Sequence, residues 1–335
     1  MKKYIHFIFC IILSLFILCS CDNTQDAVDD ISSPNNDYSE SEKAYLEFLF
    51  DKDISEITSD DFTKITHLNI IGNHITTGNY DLSTGFDNTG YTYNNKQYKY
   101  DLSCGEDLTF LSSFTNLTEL GIYFCPSLDD PSFIQEMSQL AKLTLVMTNI
   151  SELKIPSSLH ELNTLYIEAS PITNVEIEDH THLDTVHFIN GNLTDISFLS
   201  NLSHVRSLTI SFNQSTLQNT DVLTSLTDLY YLDIHAPETD FSFLANIGAP
   251  VDTLRVGGNS KIPLNLSDSI KENLTTLIVY SSPYIDLTPL IDCPSLKKIN
   301  TFDVTDVNQG NISSKAELSY RDSKASLNFF SWWQK

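Results

Sequence analysis

Leu140-Ala-Lys-Leu143-Thr-Leu145, Leu162-Asn-Thr-Leu165-Tyr-Ile167 and Leu183-Asp-Thr-Val186-His-Phe188 are three copies of one pattern, apolar at the first, fourth and sixth places. Working outward, the pattern starts again at Leu117 before them and at Val205, Leu229, Val251, Leu274 and Leu296 after them, with successive starts 21 to 24 residues apart. An outlying copy starts at Ile65. Self-similarity at this period is the signature of a leucine-rich-repeat solenoid. One such unit cannot bury its own apolar side chains, so the units must stack. The expected fold is an α/β repeat solenoid, an arc of about ten repeats of about 22 residues. A parallel β-sheet lines the concave face, short 3-10 or irregular segments form the convex side, and a helix caps the N-terminus. Such a fold offers an extended surface rather than a ready-made pocket, so binding is the default expectation.

The returns between strands carry a motif of their own: Asp107-Leu-Thr-Phe-Leu111, Asp130-Pro-Ser-Phe-Ile134, Asp195-Ile-Ser-Phe-Leu199, Asp240-Phe-Ser-Phe-Leu244 and Asp286-Leu-Thr-Pro-Leu290. An Asp there can accept backbone N–H bonds and start a short helical turn. Between the copies at Ile65 and Leu117 the beat breaks for 52 residues. The surplus, at about 77–106, is rich in Gly and Tyr. Alternation around Asn94-Asn95 predicts a β-hairpin projecting from the solenoid, either a binding element or a tolerated decoration. Tyr45, Leu46, Leu49 and Phe50 form one apolar helical face that Ser39 or Ser41 can cap.

The expected organisation is a signal segment over 1–20, a flexible acidic tether over 21–38, the helical cap over 39–62, repeats over 63–304 and a C-terminal cap over 305–335. Lys2 and Lys3 precede an apolar run from Ile5 to Leu18, and Leu18-Cys19-Ser20-Cys21 follows. This resembles a bacterial lipoprotein signal cleaved before Cys21, whose thiol would carry the lipid; an ordinary secretory signal is the alternative. Later stretches are too short or too polar for a membrane-spanning helix, so contact with a membrane is expected through the lipid only. The formal net charge of -25 argues against nucleic acid as a partner, since phosphates need Lys and Arg. Cys104, Cys125 and Cys293 follow no disulfide spacing pattern. Cys125 and Cys293 fall at core positions of their repeats, and a Cys104–Cys125 bridge is one alternative.

By the period of two, the residues between and just after the apolar strand positions face the concave surface. Two patches follow. Tyr123, Phe124, Val146, Met147, Tyr166 and Ile189 make an apolar, aromatic half suited to interface anchors. His187, Asp233, His235 and Arg255, with Tyr280 beside them, make a polar half. The plain alternative is that such positions favour β-formers. Catalytic and metal motifs are not found, and no cofactor is expected. Glu178-Asp179-His180-Thr-His182 reads as a solvated loop. His187, Asp233 and His235 match a triad by type alone, and strands two repeats apart are about 10 Å distant.

The 22-residue period with Asp-x-Ser-Phe-Leu-x-Asn-Leu in the return, Asp195 to Leu202, resembles internalin-type leucine-rich-repeat proteins of bacterial surfaces. The resemblance covers about 39–300. It implies a concave face that binds a host or surface protein. Missing from the pattern are a following Ig-like domain and a C-terminal wall-sorting motif. The expected function is therefore that of a lipid-anchored extracytoplasmic protein in a bacterial envelope, binding a protein ligand. The other classes are a glycan-binding component of an uptake system and a structural envelope protein.

Overall fold

A computed structural model of the chain describes residues 38–80, 86, 90–106, 108–178, 182–202, 204–259 and 261–321. Cys21, the tether, Asp107, Asp179, His180 and the tryptophan-bearing C-terminal stretch lie outside the described residues. The described strands are β1 (His67–Ile71), β2 (His74–Thr76), β3 (Tyr91–Tyr93), β4 (Lys96–Tyr98), β5 (Glu119–Tyr123), β6 (Lys142–Val146), β7 (Glu152–Ile155), β8 (Thr164–Glu168), β9 (Asn174–Ile177), β10 (Thr185–Ile189), β11 (Ser207–Ser211), β12 (Tyr231–His235), β13 (Thr253–Gly257), β14 (Thr276–Tyr280), β15 (Tyr284–Asp286), β16 (Lys298–Phe302), β17 (Asp306–Asn308) and β18 (Glu317–Arg321).

The main sheet runs β18-β16-β14-β13-β12-β11-β10-β8-β6-β5-β1-β2, so spatial order follows chain order. Every pairing is parallel except β1 with β2. Leu68, Leu120, Leu143, Leu165, Val186, Leu208, Leu232, Leu254, Leu277 and Ile299 stand opposite one another along the sheet, and all are buried. The sequence period has thus set the register, because a slip of one residue would turn this column to the other face. The sheet and its returns form the leucine-rich-repeat arc that the sequence predicts. The ladder goes one strand further than expected, since β18 pairs with β16 inside the segment read as a cap. Lys315 stands where other repeats begin with a leucine, and that hid this last copy.

The chain leaves most strands through a left-handed residue. Phe124, Met147, Ala169, Asn190, Phe212, Ser281 and Asp303 have φ between 49 and 61°. Left-handed geometry costs a non-glycine residue about 1–2 kcal/mol. Its reward here is a hydrogen bond across the repeat: Phe124 N–H donates to Val146 O at 2.8 Å and Met147 N–H to Glu168 O at 2.9 Å. In the first repeat the same place holds Gly72, where a Cβ would lie 2.1 Å from the Tyr91 hydroxyl.

The Asp motif does what the sequence predicts. Asp130, Asp195, Asp240 and Asp286 accept the backbone N–H two residues on, at 2.9, 2.7, 2.9 and 3.0 Å, and each leads into a 3-10 turn. The helix Glu40–Phe50 covers the first repeat. Ser39 caps it in a capping box with Glu42. Glu42, itself buried, reaches down to accept from Thr109 Oγ1 at 2.7 Å and Phe110 N–H at 3.1 Å, tying the cap to the return that leads into the second repeat.

Candidate functional site

The concave columns form in register. One reads Gly121, Thr144, Tyr166, His187, Thr209, Asp233, Arg255 and Ile278 along β5 to β14. The next includes Tyr123, Val146, Glu168 and Ile189 from β5 to β10, and His235, Gly257, Tyr280 and Phe302 from β12 to β16. The structure therefore brings the candidate residues to one face. It does not leave all of them open.

Part of the apolar half is covered, contrary to the expectation of an exposed patch. Phe124 and Val146 are 0% exposed and Tyr123 6%, so they are no free interface. The insertion lies over them. β3 and β4 form the expected hairpin, turning at Asn94 and Asn95, both at positive φ as a two-residue hairpin turn requires. Tyr91 from this hairpin stacks on Phe124, with ring centres 4.5 Å apart and planes 16° from parallel. Phe86 meets Phe124 edge-on at 5.3 Å and Tyr80 meets Tyr123 at 4.9 Å. The Tyr91 hydroxyl donates to Ile71 O. Ile71, Tyr91, Tyr123, Phe124 and Val146 thus make a second small core, separate from the one inside the solenoid. Met147 and Tyr166 sit at its rim, partly buried.

The polar half is corrected in a different way. Asp233 is 1% exposed, and His187 and Tyr280 are also buried. Asp233 and Tyr280 lie in one polar network with Arg255 and Tyr231, while His187 meets the Tyr166 ring edge-on at 5.9 Å and Ser207 Oγ at 3.1 Å. Arg255 Nε lies 3.3 Å from Asp233 Oδ2, and its Nη1 donates to the Tyr231 hydroxyl at 2.8 Å. The Tyr280 hydroxyl accepts from Arg255 Nε and donates to the Asp233 carboxylate. The guanidinium also sits 5.1 Å over the Tyr280 ring. Gly257 leaves the room this needs, since a Cβ there would lie 2.5 Å from the His235 ring and 2.6 Å from that of Tyr280. Burial pushes the Asp233 carboxyl up, against the pull of Arg255. Burial lowers His187 and His235 to about 4, so both imidazoles are neutral near pH 7. The arrangement is a buried ion pair held between neighbouring strands, whose desolvation cost offsets much of its attraction.

Glu168 stands on the same face and is a perturbed acid that the period alone does not reveal. It is buried between Val146 and Ile189, and burial pushes its carboxyl up to about 7. The Tyr166 hydroxyl donates to it at 2.5 Å. Tyr231, Ile278 and Phe302 stand on the same face and are partly exposed. Their column places were legible from the period of two. Tyr166, Ile189, Phe212, Tyr231, His235, Arg255, Ile278 and Phe302 together leave the part of the face beyond the insertion accessible, aromatic and apolar around one guanidinium.

Away from this face, His182 is exposed and donates from Nδ1 to His160 O at 2.8 Å, as a solvated loop residue would. Cys104, Cys125 and Cys293 are all buried. The Cys104 and Cys125 sulfurs lie 2.7 Å apart at the base of the insertion. Burial raises the Cys125 thiol.

The fold and face define a leucine-rich-repeat solenoid. No protein-family model matches the chain, and no curated protein matches it. Among solved structures it is similar to an internalin, InlF, of Listeria monocytogenes, at 18% identity and a TM-score of 0.47, over 65% of this chain and 64% of that one. It is also similar to internalin C2 of the same organism, at 20% identity and a TM-score of 0.38, over 64% and 84%. A leucine-rich-repeat protein of Leptospira interrogans matches at 13% identity and a TM-score of 0.34, over 64% and 70%. The matched segment thus spans just under two thirds of the length of InlF.

Proposed function

We propose that this chain is a lipid-anchored, extracytoplasmic binding protein of a bacterial envelope, and that it takes a protein ligand on the open part of its concave face, from Tyr166 to Phe302. The supporting observation is a set of partly exposed side chains on one face: Tyr166, Arg255 and Ile278 in one column, Ile189 and Phe302 in the next, and Phe212 just after β11. Tyr and Arg ringed by apolar contacts are the residue types that dominate interface energies. The insertion supports the reading by removing the N-terminal aromatic residues from competition, so the ligand meets a bounded surface. Cys21 is the proposed lipid site and the acidic tether the spacer. Among the described residues no helix is long and apolar enough to cross a membrane.

The test has two parts. Protease shaving of intact cells places the solenoid inside or outside, and decides which proteins to screen. With a ligand found, Ile189→Glu and Ile278→Glu each put a charge on the open face without touching the repeat core. Each is expected to weaken binding by roughly thirtyfold or more, the loss typical of an anchor residue. Unchanged affinity for both folded variants overturns the concave assignment. Weak sugar binding lost on Tyr166→Ala alone would replace the protein ligand with a glycan.

A further inference from the structure

Cys104 closes the insertion, and Cys125 follows β5 where the second repeat leaves the sheet. Their sulfurs lie 2.7 Å apart, closer than two non-bonded sulfurs rest. The two backbones meet as well, since Ser127 N–H donates to Cys104 O at 3.0 Å. Sulfurs already this close can reach bonding distance by a small side-chain movement, and such closeness is what pairing requires. The surroundings offer the sulfurs no competing chemistry. The Cys104 thiol faces Gly72 O at 3.1 Å, and the Tyr45 hydroxyl lies 3.9 Å from it. Among the described residues no cluster of His, Cys, Asp or Glu could hold a metal here. Cys293 lies in the return after β15, many repeats away.

We propose that Cys104 and Cys125 form a disulfide that fastens the insertion over the N-terminal concave face. The two thiols give up two protons and two electrons, and one S–S bond forms. The electrons pass to the disulfide of a thiol–disulfide oxidoreductase, which is reduced to a dithiol through a mixed disulfide. Both sulfurs are buried in the folded chain, so the exchange belongs to folding, before the insertion settles. Afterwards a reductant reaches the bond only when the insertion lifts. The bridge ties the hairpin's return to the repeat it covers. It keeps Tyr91 on Phe124 and the second small core shut.

The test is peptide mapping of the full chain refolded in a glutathione redox buffer, alkylated with iodoacetamide during unfolding and never reduced. Lys99 and Lys142 bound one tryptic peptide that holds both cysteines, and Glu106 divides it for a glutamyl endopeptidase. The expected result is a Cys104 fragment joined to a Cys125 fragment, lighter by two hydrogens than the separate thiols, with Cys293 alkylated. Alkyl groups on both Cys104 and Cys125, or a bridge from either to Cys293, overturns the pairing. The fastening role has its own readout. Trypsin should cut the folded chain at Lys96 and Lys99 faster in Cys104→Ser than in the oxidised protein, by up to on the order of a hundredfold, the effect of closing a loop of this length. Equal cutting rates overturn the fastening role even where the bridge forms, and Cys125→Ala repeats the comparison from the other side.

Discussion

Replacing Glu168 by Gln should stabilise the protein, and only above a defined pH. The carboxyl is pushed from an ordinary 4.5 up to about 7 by burial on the sheet, between Val146 and Ile189. An acid whose folded value is raised binds its proton more tightly in the folded state than in the unfolded one. Its contribution is therefore neutral below about pH 4.5 and becomes a loss of stability as the pH rises from there to about 7. The shift corresponds to a loss of about 3 kcal/mol at pH 8, at about 1.4 kcal/mol per unit. Gln keeps the size and can still accept from the Tyr166 hydroxyl, so it removes the ionisation and little else. The assay is urea unfolding of wild type and Glu168→Gln at several values between pH 4.5 and 8. Other carboxylates titrate in both proteins, so the difference between the two curves is the quantity to read. It should be small at pH 4.5, grow between about pH 4.5 and 7, and level off at about 3 kcal/mol above that. A difference that stays constant across this range, or one that shrinks as the pH rises, refutes the reasoning.

Three further perturbations separate the parts of the account. Asp233→Asn leaves the Arg255 guanidinium buried without its counter-charge and should cost about 3–5 kcal/mol in chemical denaturation; a change below 1 kcal/mol would mean the pair is solvated. Tyr91→Ala removes the ring stacked on Phe124 and should cost about 3–5 kcal/mol if the insertion unfolds together with the solenoid. If the insertion opens alone, the same variant should instead raise binding of an apolar dye at an unchanged midpoint. Asp240→Ala removes the carboxylate that accepts from Ser242 N–H and should cost about 1 kcal/mol by thermal melting, with Asp240→Asn near neutral.

Much of this was legible in the chain. The leucine period fixed the ladder, the register and the returns, because each repeat states the same local requirement and its neighbours agree. The hairpin at Asn94-Asn95 was legible for the same reason, since it is a local signal. The state of the binding face was not. Alternation tells which side of the sheet a residue points to, and Tyr123 and Val146 do point away from the solenoid core. It says nothing of what lies above them. That Tyr91 stacks on Phe124 depends on how a segment some 30 residues away folds back, and no periodicity records that. The only hint was that insertion and second repeat are both unusually aromatic. The burial of Asp233 and His187 was hidden for another reason. Side chains from neighbouring repeats cover these groups: Tyr166 and Ser207 meet His187, while Arg255 and Tyr280 meet Asp233 in room that Gly257 leaves. The sequence gives that glycine no local reason.

The central claim is that the insertion closes the N-terminal part of the concave face and leaves the rest open. Hydroxyl-radical footprinting of the full chain, read residue by residue by mass spectrometry, tests it without any ligand. Tyr91, Tyr123 and Phe124 should be protected, while Tyr166, Ile189 and Phe212 are modified, with the exposed Tyr230 as the internal reference. Modification of Tyr123 and Phe124 at the rate of Tyr230 would contradict the account.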